Sequence, residues 1–158
     1  MFIIHYKEQN APKPNQPIVP SVHGVVINGK NKILFHKRED HHLWSFPGGK
    51  VELGESILDT LIREMNEEVG VRVVPDMFLG TYSSPNYVLS VGAAVFQPFL
   101  IAFRCKIVDG EVKITDESVD YRWASLEDFS SMQFFPLARE LAECALGLRE
   151  NPLTNLNI

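Results

Sequence analysis

Apolar residues along this chain fall mainly in short runs typical of β-strands, and in two segments they recur at the spacing of an amphipathic helix. The runs predict strands near residues 22–28, 32–37, 71–74, 77–82, 87–95, 98–108 and 120–124, with an edge strand at 2–6. The helical segments cover residues 56–70 and the stretch after Pro136. Because these elements follow no regular βαβ order, we predict an α/β fold with a mixed sheet flanked by helices.

The first helical segment follows a glycine-rich turn and has recognisable ends. Ser56 and Asp59 have the spacing of a capping box, and Gly70 has the position of a C-terminal cap. We therefore predict a helix between Ser56 and Gly70. Its apolar positions recur at helical spacing and are expected to face a core: Ile57, Leu58, Leu61, Ile62, Met65 and Val69.

The same helix carries acidic residues on what we predict to be its other face. Glu64, Glu67 and Glu68 stand at i, i+3 and i+4, so their carboxylates lie on one side and repel one another. Either solvent or a hard divalent cation must offset this repulsion, and Mg²⁺ is usually held by a few carboxylates together with substrate phosphates. Arg63 precedes Glu67 by four residues and can orient it, while Glu55 adds a carboxylate from the preceding loop.

Residues 49–71 resemble the Nudix box, whose pattern is G-x5-E-x7-R-E-U-x-E-E-x-G-U, with U a bulky aliphatic residue. The match holds at nine fixed positions, which makes it a specific signal, and the run Trp44 to Gly49 is also similar to the family's usual approach to the box. The close match covers residues 38–71. The matching residues are Gly49, Glu55, Arg63, Glu64, Met65, Glu67, Glu68, Gly70 and Val71.

The resemblance to MutT-like Nudix hydrolases implies a fold, a reaction and a cofactor. It implies an α/β/α sandwich with a mixed sheet, and hydrolysis of a nucleoside diphosphate linked to another group, X, with Mg²⁺ as the cofactor and Mn²⁺ as the alternative ion. It also implies that Glu64, Glu67 and Glu68 bind the metal, with Glu55 as a further ligand. Arg63 would orient these carboxylates. Glu64 and Glu68 are also candidates for direct roles in catalysis, and which carboxylate is the general base stays open.

Three further features outside the helix are candidates for the site. Gly48 and Gly49 let the backbone turn tightly and approach a ligand without Cβ interference. Arg38 can reach a substrate phosphate, with a solvent-facing salt bridge as the alternative. Glu117 lies where many relatives have an added metal ligand or general base, with a solvated loop charge as the alternative.

The identity of the substrate stays open at this level. Nucleotide sugars, ADP-ribose and nucleoside triphosphates all fit the resemblance, and the region around Pro85 and Tyr87 does not decide between them. A non-catalytic nucleotide-binding or regulatory module on the same fold is the main alternative from a different class, and a non-hydrolytic isomerase is a third. An eroded box would favour the module, and this box is intact.

Length and composition place the chain among ordinary globular proteins. With 158 residues we expect one catalytic domain at 21–150, an extended proline-containing lead-in at 1–20 and a polar tail at 151–158. Asn28 and Gly29 predict a hairpin between the first two strands of the domain, with a loop of two residues or slightly more.

Charge and the apolar pattern bound the partners and the compartment. The net charge of −5 provides no basic excess for a nucleic-acid polymer, so the expected partner is a small nucleotide. No apolar run reaches the length of a membrane span, and the N-terminal residues lack the pattern of a secretory signal, so we expect a cytoplasmic protein. A homodimer is expected only by analogy with relatives.

Overall fold

The computed structural model describes residues 1–150, so the predicted tail at 151–158 lies outside the described residues. The described part contains ten strands, two α-helices and a 3₁₀ helix over Leu126–Ser131. The α-helices are α1 (Ile57–Val69) and α2 (Ala138–Ala145). The strands are β1 (Phe2–Tyr6), β2 (Val19–Val26), β3 (Ile33–Arg38), β4 (Trp44–Ser45), β5 (Gly48–Lys50), β6 (Val71–Tyr82), β7 (Tyr87–Val91), β8 (Ala94–Phe96), β9 (Pro98–Gly110) and β10 (Ser118–Ala124).

The central sheet is mixed, as the sequence predicts. Its four strands run in the order β5-β2-β9-β6. Strands β2 and β9 are parallel, whereas the β2–β5 and β6–β9 pairs are antiparallel. Two smaller antiparallel sheets, β10-β3-β4 and β1-β7-β8, complete the fold.

The two α-helices cover opposite faces of the central sheet. Because side chains alternate along a strand, Val22 and Val26 of β2 pack in the same apolar cluster as α1, whereas Val25 packs in the cluster that contains α2. The predicted α/β/α sandwich is therefore confirmed. Neither helix within residues 1–150 is long and apolar enough to cross a membrane.

Part of the N-terminal segment forms hydrogen bonds with the rest of the fold. The expected edge strand at 2–6 is confirmed as β1, which pairs with β7. Farther along, the Asn15 side chain accepts a hydrogen bond from the backbone of Val95 at 2.8 Å and donates one to the carbonyl of Ala93. Residues 1–20 thus bring β1 and the beginning of β2 into the sheets.

The hairpin predicted at Asn28 is wrong in its pairing, although both strands exist. Strands β2 and β3 belong to different sheets and meet only at a bridge between Ile27 and Ile33 among the described residues. The Asn28 side chain accepts hydrogen bonds from the backbone of Lys30 and Lys32. This closes a wider loop than a two-residue turn, and the strands diverge beyond it.

Both predicted ends of α1 are confirmed. The Ser56 side chain accepts from the Asp59 backbone, the Asp59 side chain accepts from the Ser56 backbone, and Gly70 ends the helix in the left-handed region at φ 75°. The buried face differs from the prediction in two respects. Ile57 and Leu58 are 43% and 46% exposed, so the first turn extends past the sheet. Glu64 and Glu68, which we predicted on the other face, share the buried stripe; it also contains Thr60, Leu61, Met65 and Val69.

A matched pair of leucine substitutions on α1 tests this orientation. Leu61 is 1% exposed, so Leu61→Ala should lower the free energy of unfolding by about 2–5 kcal/mol through the cavity it leaves. Leu58→Ala, the same change one turn earlier at a half-exposed position, should cost no more than about 1 kcal/mol. Urea unfolding of both variants gives the two values. Equal losses would show that the first turn is packed after all.

Candidate active site

Two glycines of β5 lie where an added Cβ would overlap a neighbouring group, in one case of β2 and in the other of α1. Gly48 has φ 151°, and a Cβ there would overlap the carbonyl oxygen of Val22. A Cβ at Gly49 would overlap the carboxylate of Glu64. These contacts give the predicted Gly48–Gly49 pair a physical role, because the missing Cβ atoms let β5 pack against β2 at Gly48 and against the Glu64 carboxylate at Gly49.

Glu68 is the most deeply buried acidic residue of the site. Its side chain is fully buried, and its two oxygens accept hydrogen bonds from the Gly48 amide at 2.7 Å and from Nη1 of Arg38 at 2.5 Å. Its backbone carbonyl accepts from the hydroxyls of Ser118 and Thr115. Burial raises the pKa of Glu68 to about 8, because the charged form has lost its water.

Two more carboxylates converge on Glu68. Oxygens of Glu64, Glu68 and Glu117 all lie within 4.8 Å of one another. Glu64 is 7% exposed, and burial raises its pKa, whereas Glu117 is exposed on the loop before β10. Three carboxylates this close repel one another, and a hard divalent cation or a proton relieves the repulsion. The structure therefore brings the loop residue Glu117 to the helix residues, as the sequence allowed.

Arg63 contacts Glu55 and Glu67, the two predicted ligands outside the three-carboxylate cluster, as well as Glu64. Its guanidinium makes five hydrogen bonds, to both oxygens of Glu55, to Glu64, to Glu67 and to the Lys50 carbonyl, which uses the full donor capacity of the group. The Arg63 hydrogen bonds lower the pKa of Glu55 to about 2. The position of Arg63 thus matches its predicted orienting role, while Glu55 and Glu67 face Arg63 instead of joining the three-carboxylate cluster.

Arg38, which we predicted as a phosphate ligand, is bound within the site. Besides Glu68, it contacts both oxygens of Asp40 at 3.2 Å. One third of its side chain is exposed at the cleft. Arg38 therefore balances the buried Glu68 charge and still presents part of its guanidinium to a ligand.

His36 belongs to the site although no pattern in the sequence singled it out. Its Nδ1 lies 2.8 Å from the Ser118 hydroxyl, and its Nε2 lies 3.4 Å from Oε2 of Glu68. Burial lowers the pKa of His36 to about 3, so the ring is neutral at pH 7. The one signal in the sequence was that a histidine directly follows the apolar strand residues Ile33–Phe35. That signal does not reveal the contact with Glu68.

A cleft of about 510 Å³ opens beside the carboxylates. Its lining includes charged residues, among them Glu64, Glu67, Glu117, Arg38 and Arg63. It also includes apolar residues from distant parts of the chain, which sequence periodicity cannot bring together: Phe2, Val19, Tyr87, Leu89, Val91, Phe96, Pro98, Leu100 and Phe135. The cleft therefore suits a ligand that combines charged groups with a flat or apolar part.

Comparison with known proteins agrees with this geometry. The family model described as NUDIX domain matches residues 17–144. A MutT-like protein of Streptomyces ambofaciens is 32% identical over 130 residues, covering 82% of this chain and 78% of that protein. An ADP-ribose pyrophosphatase of Methanocaldococcus jannaschii is 30% identical over 117 residues, covering 69% and 63%. The crystal structure of a MutT protein from Methanosarcina mazei Go1 has a TM-score of 0.67 at 27% identity and covers 84% and 96%.

The close approach at Gly49 can be tested with a single methyl group. Gly49→Ala should lower the free energy of unfolding by about 1–3 kcal/mol, because the added Cβ overlaps the buried Glu64 carboxylate, which must move away from its hydrogen bond with Arg63. Gly29→Ala is the matched control, since a Cβ there meets nothing within 4 Å, and its effect should stay within about 1 kcal/mol. Urea unfolding measures both. A Gly49 variant as stable as its control would contradict the packing described for the turn.

Proposed function

The chain belongs to the NUDIX domain family and is a hydrolase acting on nucleoside diphosphates linked to another group, and on that basis we propose that it cleaves their pyrophosphate linkage with Mg²⁺ bound by the buried carboxylates. The observation that carries the metal assignment is the convergence of Glu64, Glu68 and Glu117. Mn²⁺ is the alternative ion, because it also prefers oxygen ligands.

The carboxylate cluster fits a hard divalent cation in its chemistry. It offers oxygen donors, two of its members have raised pKa values because they are buried, and one side opens to the cleft. We assign Glu64, Glu68 and Glu117 as the primary ligands. Glu67 is a further ligand in this proposal, because its side chain is 43% exposed and is free to rotate away from Arg63. Glu55 is the weakest of the proposed ligands, since both its oxygens accept from Arg63.

The remaining roles follow from what each side chain contacts. A divalent ion at this cluster supplies charge neutralisation of the substrate phosphates and a more acidic water. Arg63 orients Glu64 and Glu67, and Arg38 presents its exposed edge to a phosphate oxygen. Glu117 is also our candidate for the general base, through the carboxylate oxygen that does not bind the ion, because it is exposed to solvent at the cleft, whereas both oxygens of Glu68 already accept hydrogen bonds. Glu64 is the alternative base.

The mixed lining of the cleft supports the proposed substrate class. A nucleoside diphosphate-X compound places its phosphates at the carboxylates and its nucleoside along the apolar wall. ADP-ribose, nucleotide sugars and nucleoside triphosphates all meet this description. The Methanocaldococcus jannaschii relative, named as an ADP-ribose pyrophosphatase, supports ADP-ribose as one of the candidates. A homodimer stays a prediction by analogy. The non-catalytic module is disfavoured because the charged box positions are intact and their carboxylates are assembled.

A substrate screen with a matched variant tests this proposal. Purified protein is incubated with ADP-ribose, nucleotide sugars, dinucleoside polyphosphates and nucleoside triphosphates, with Mg²⁺ or with chelator. We expect cleavage only with the metal. Glu68→Gln should lower kcat at least about 100-fold, because it removes a charge that binds the metal. Glu127→Gln, an exposed residue on the 3₁₀ helix, should leave kcat unchanged.

The outcome separates the candidate functions. Metal-dependent cleavage that is lost in Glu68→Gln and kept in Glu127→Gln supports the assignment, and the best substrate identifies the subfamily. Near-normal turnover by a folded Glu68→Gln protein contradicts the role of Glu68. Tight nucleotide binding without product, measured by calorimetry on the same compounds, would indicate the non-catalytic module instead.

A further inference from the structure

Two buried side-chain polar atoms have no hydrogen-bond partner among residues 1–150, and they lie on neighbouring strands. They are Nε2 of His36 and Oγ of Ser45. The two residues are directly opposite each other in the β3–β4 ladder, so their side chains project from the same face. On that face His36 reaches Glu68, which places the Ser45 side chain toward the active site as well.

Ser45 lines the cleft, and the absence of a partner for its hydroxyl within the described chain calls for an explanation. The residue is 8% exposed, so more than nine-tenths of it is removed from bulk water. Two other buried serines have partners, since Ser118 contacts Glu68 and His36, and Ser90 contacts His5. A buried hydroxyl that faces a ligand cleft and lacks an internal partner is available to a ligand.

His23 supplies a second polar group to the same cleft. Its Nδ1 lies 3.4 Å from the carbonyl oxygen of Phe46. Because a carbonyl only accepts, the ring proton is on Nδ1, and Nε2 carries a lone pair that can accept. Both His23 and Ser45 line the cleft. Together they offer an acceptor and a hydroxyl that can act in either direction.

The same cleft is also lined by apolar and aromatic residues. Phe2, Phe96 and Phe135 line the cleft. Phe96 belongs to the main apolar cluster, and Phe135 packs against it. A mostly apolar slot with a few fixed polar groups is the usual setting for a flat heterocycle, whose faces contact apolar side chains while its edge forms hydrogen bonds. Every nucleobase has such an edge, with donors and acceptors side by side.

We propose that Ser45, together with His23, forms a subsite that hydrogen-bonds the base edge of the substrate. The inference rests on the proposed function, since it assumes that the phosphates lie at the carboxylates. It adds that affinity depends on the heterocycle as well as on the phosphates. Ser45 is thus a specificity-determining residue that takes no part in bond cleavage.

Calorimetric binding tests this without requiring turnover. The probes are the α,β-methylene analogues of ADP, GDP, CDP and UDP, which resist hydrolysis, and methylenediphosphonate, which lacks a nucleoside. Each is titrated in Mg²⁺ into wild type, Ser45→Ala and Ser90→Ala. Ser90 is the matched control, because it is a buried strand serine, 7% exposed, whose hydroxyl contacts His5.

The expected result is selective for the base. Ser45→Ala should weaken binding of at least one nucleoside analogue about 3- to 10-fold, the effect of one lost hydrogen bond, and leave methylenediphosphonate binding unchanged. Ser90→Ala should leave all affinities unchanged. The melting temperature of Ser45→Ala should equal or exceed that of Ser90→Ala, because only the second variant loses an internal hydrogen bond.

Several results would overturn the subsite. The first two are unchanged affinity of Ser45→Ala for all four analogues and an equal loss of affinity for methylenediphosphonate. The third is that no analogue binds to wild type. The fourth is a lowered melting temperature of Ser45→Ala with no change in affinity, which would show that Ser45 holds a structural water. Hydrolysis is not part of this readout. If the binding experiment rejects the subsite, the hydrolysis result with Glu68→Gln still stands. If the hydrolysis screen fails, that failure is seen independently of the Ser45 binding result.

Discussion

Burying the carboxylate of Glu68 is the constraint on which the arrangement of the site depends. An ionised carboxylate that has lost its water is unfavourable unless fixed donors or cations replace that water. Here the Gly48 amide and Arg38 contribute, and Ser118 and Thr115 hold the backbone of the same residue. The neighbouring Glu64 and Glu117 add repulsion that these contacts do not relieve. In the proposed function a divalent cation offsets this repulsion, and a proton shared by the carboxylates is the alternative when no ion is bound.

The glycine turn and the helix are consequently one unit. Gly48 donates its amide to Glu68, and the missing Cβ of Gly49 leaves room for Glu64. Arg63 then ties the loop residue Glu55 to the helix residues.

Local signals in the sequence predicted the local parts of this structure. The capping box at Ser56, the stop at Gly70 and the mixed sheet were all predicted, because each depends on neighbouring residues or on periodicity. The burial of Glu64 and Glu68 was not, since periodicity alone assigns charged residues to the solvent side of a helix. The contact of His36 with Glu68 and the apolar wall that includes Phe2 depend on tertiary packing between distant segments. The hairpin at Asn28 failed for the same reason, because sheet membership is decided by partners elsewhere in the chain.

We propose that Glu64, Glu68 and Glu117 bind one divalent cation together. A crystal structure of the protein with Mn²⁺, whose anomalous scattering identifies the ion, is the measurement to make. We expect an anomalous peak at coordination distance from carboxylate oxygens of all three residues, and its loss in crystals of Glu68→Gln. A peak bound only by Glu55 and Glu67, or no peak at saturating Mn²⁺ in well-ordered crystals, would show that the three residues do not form this site.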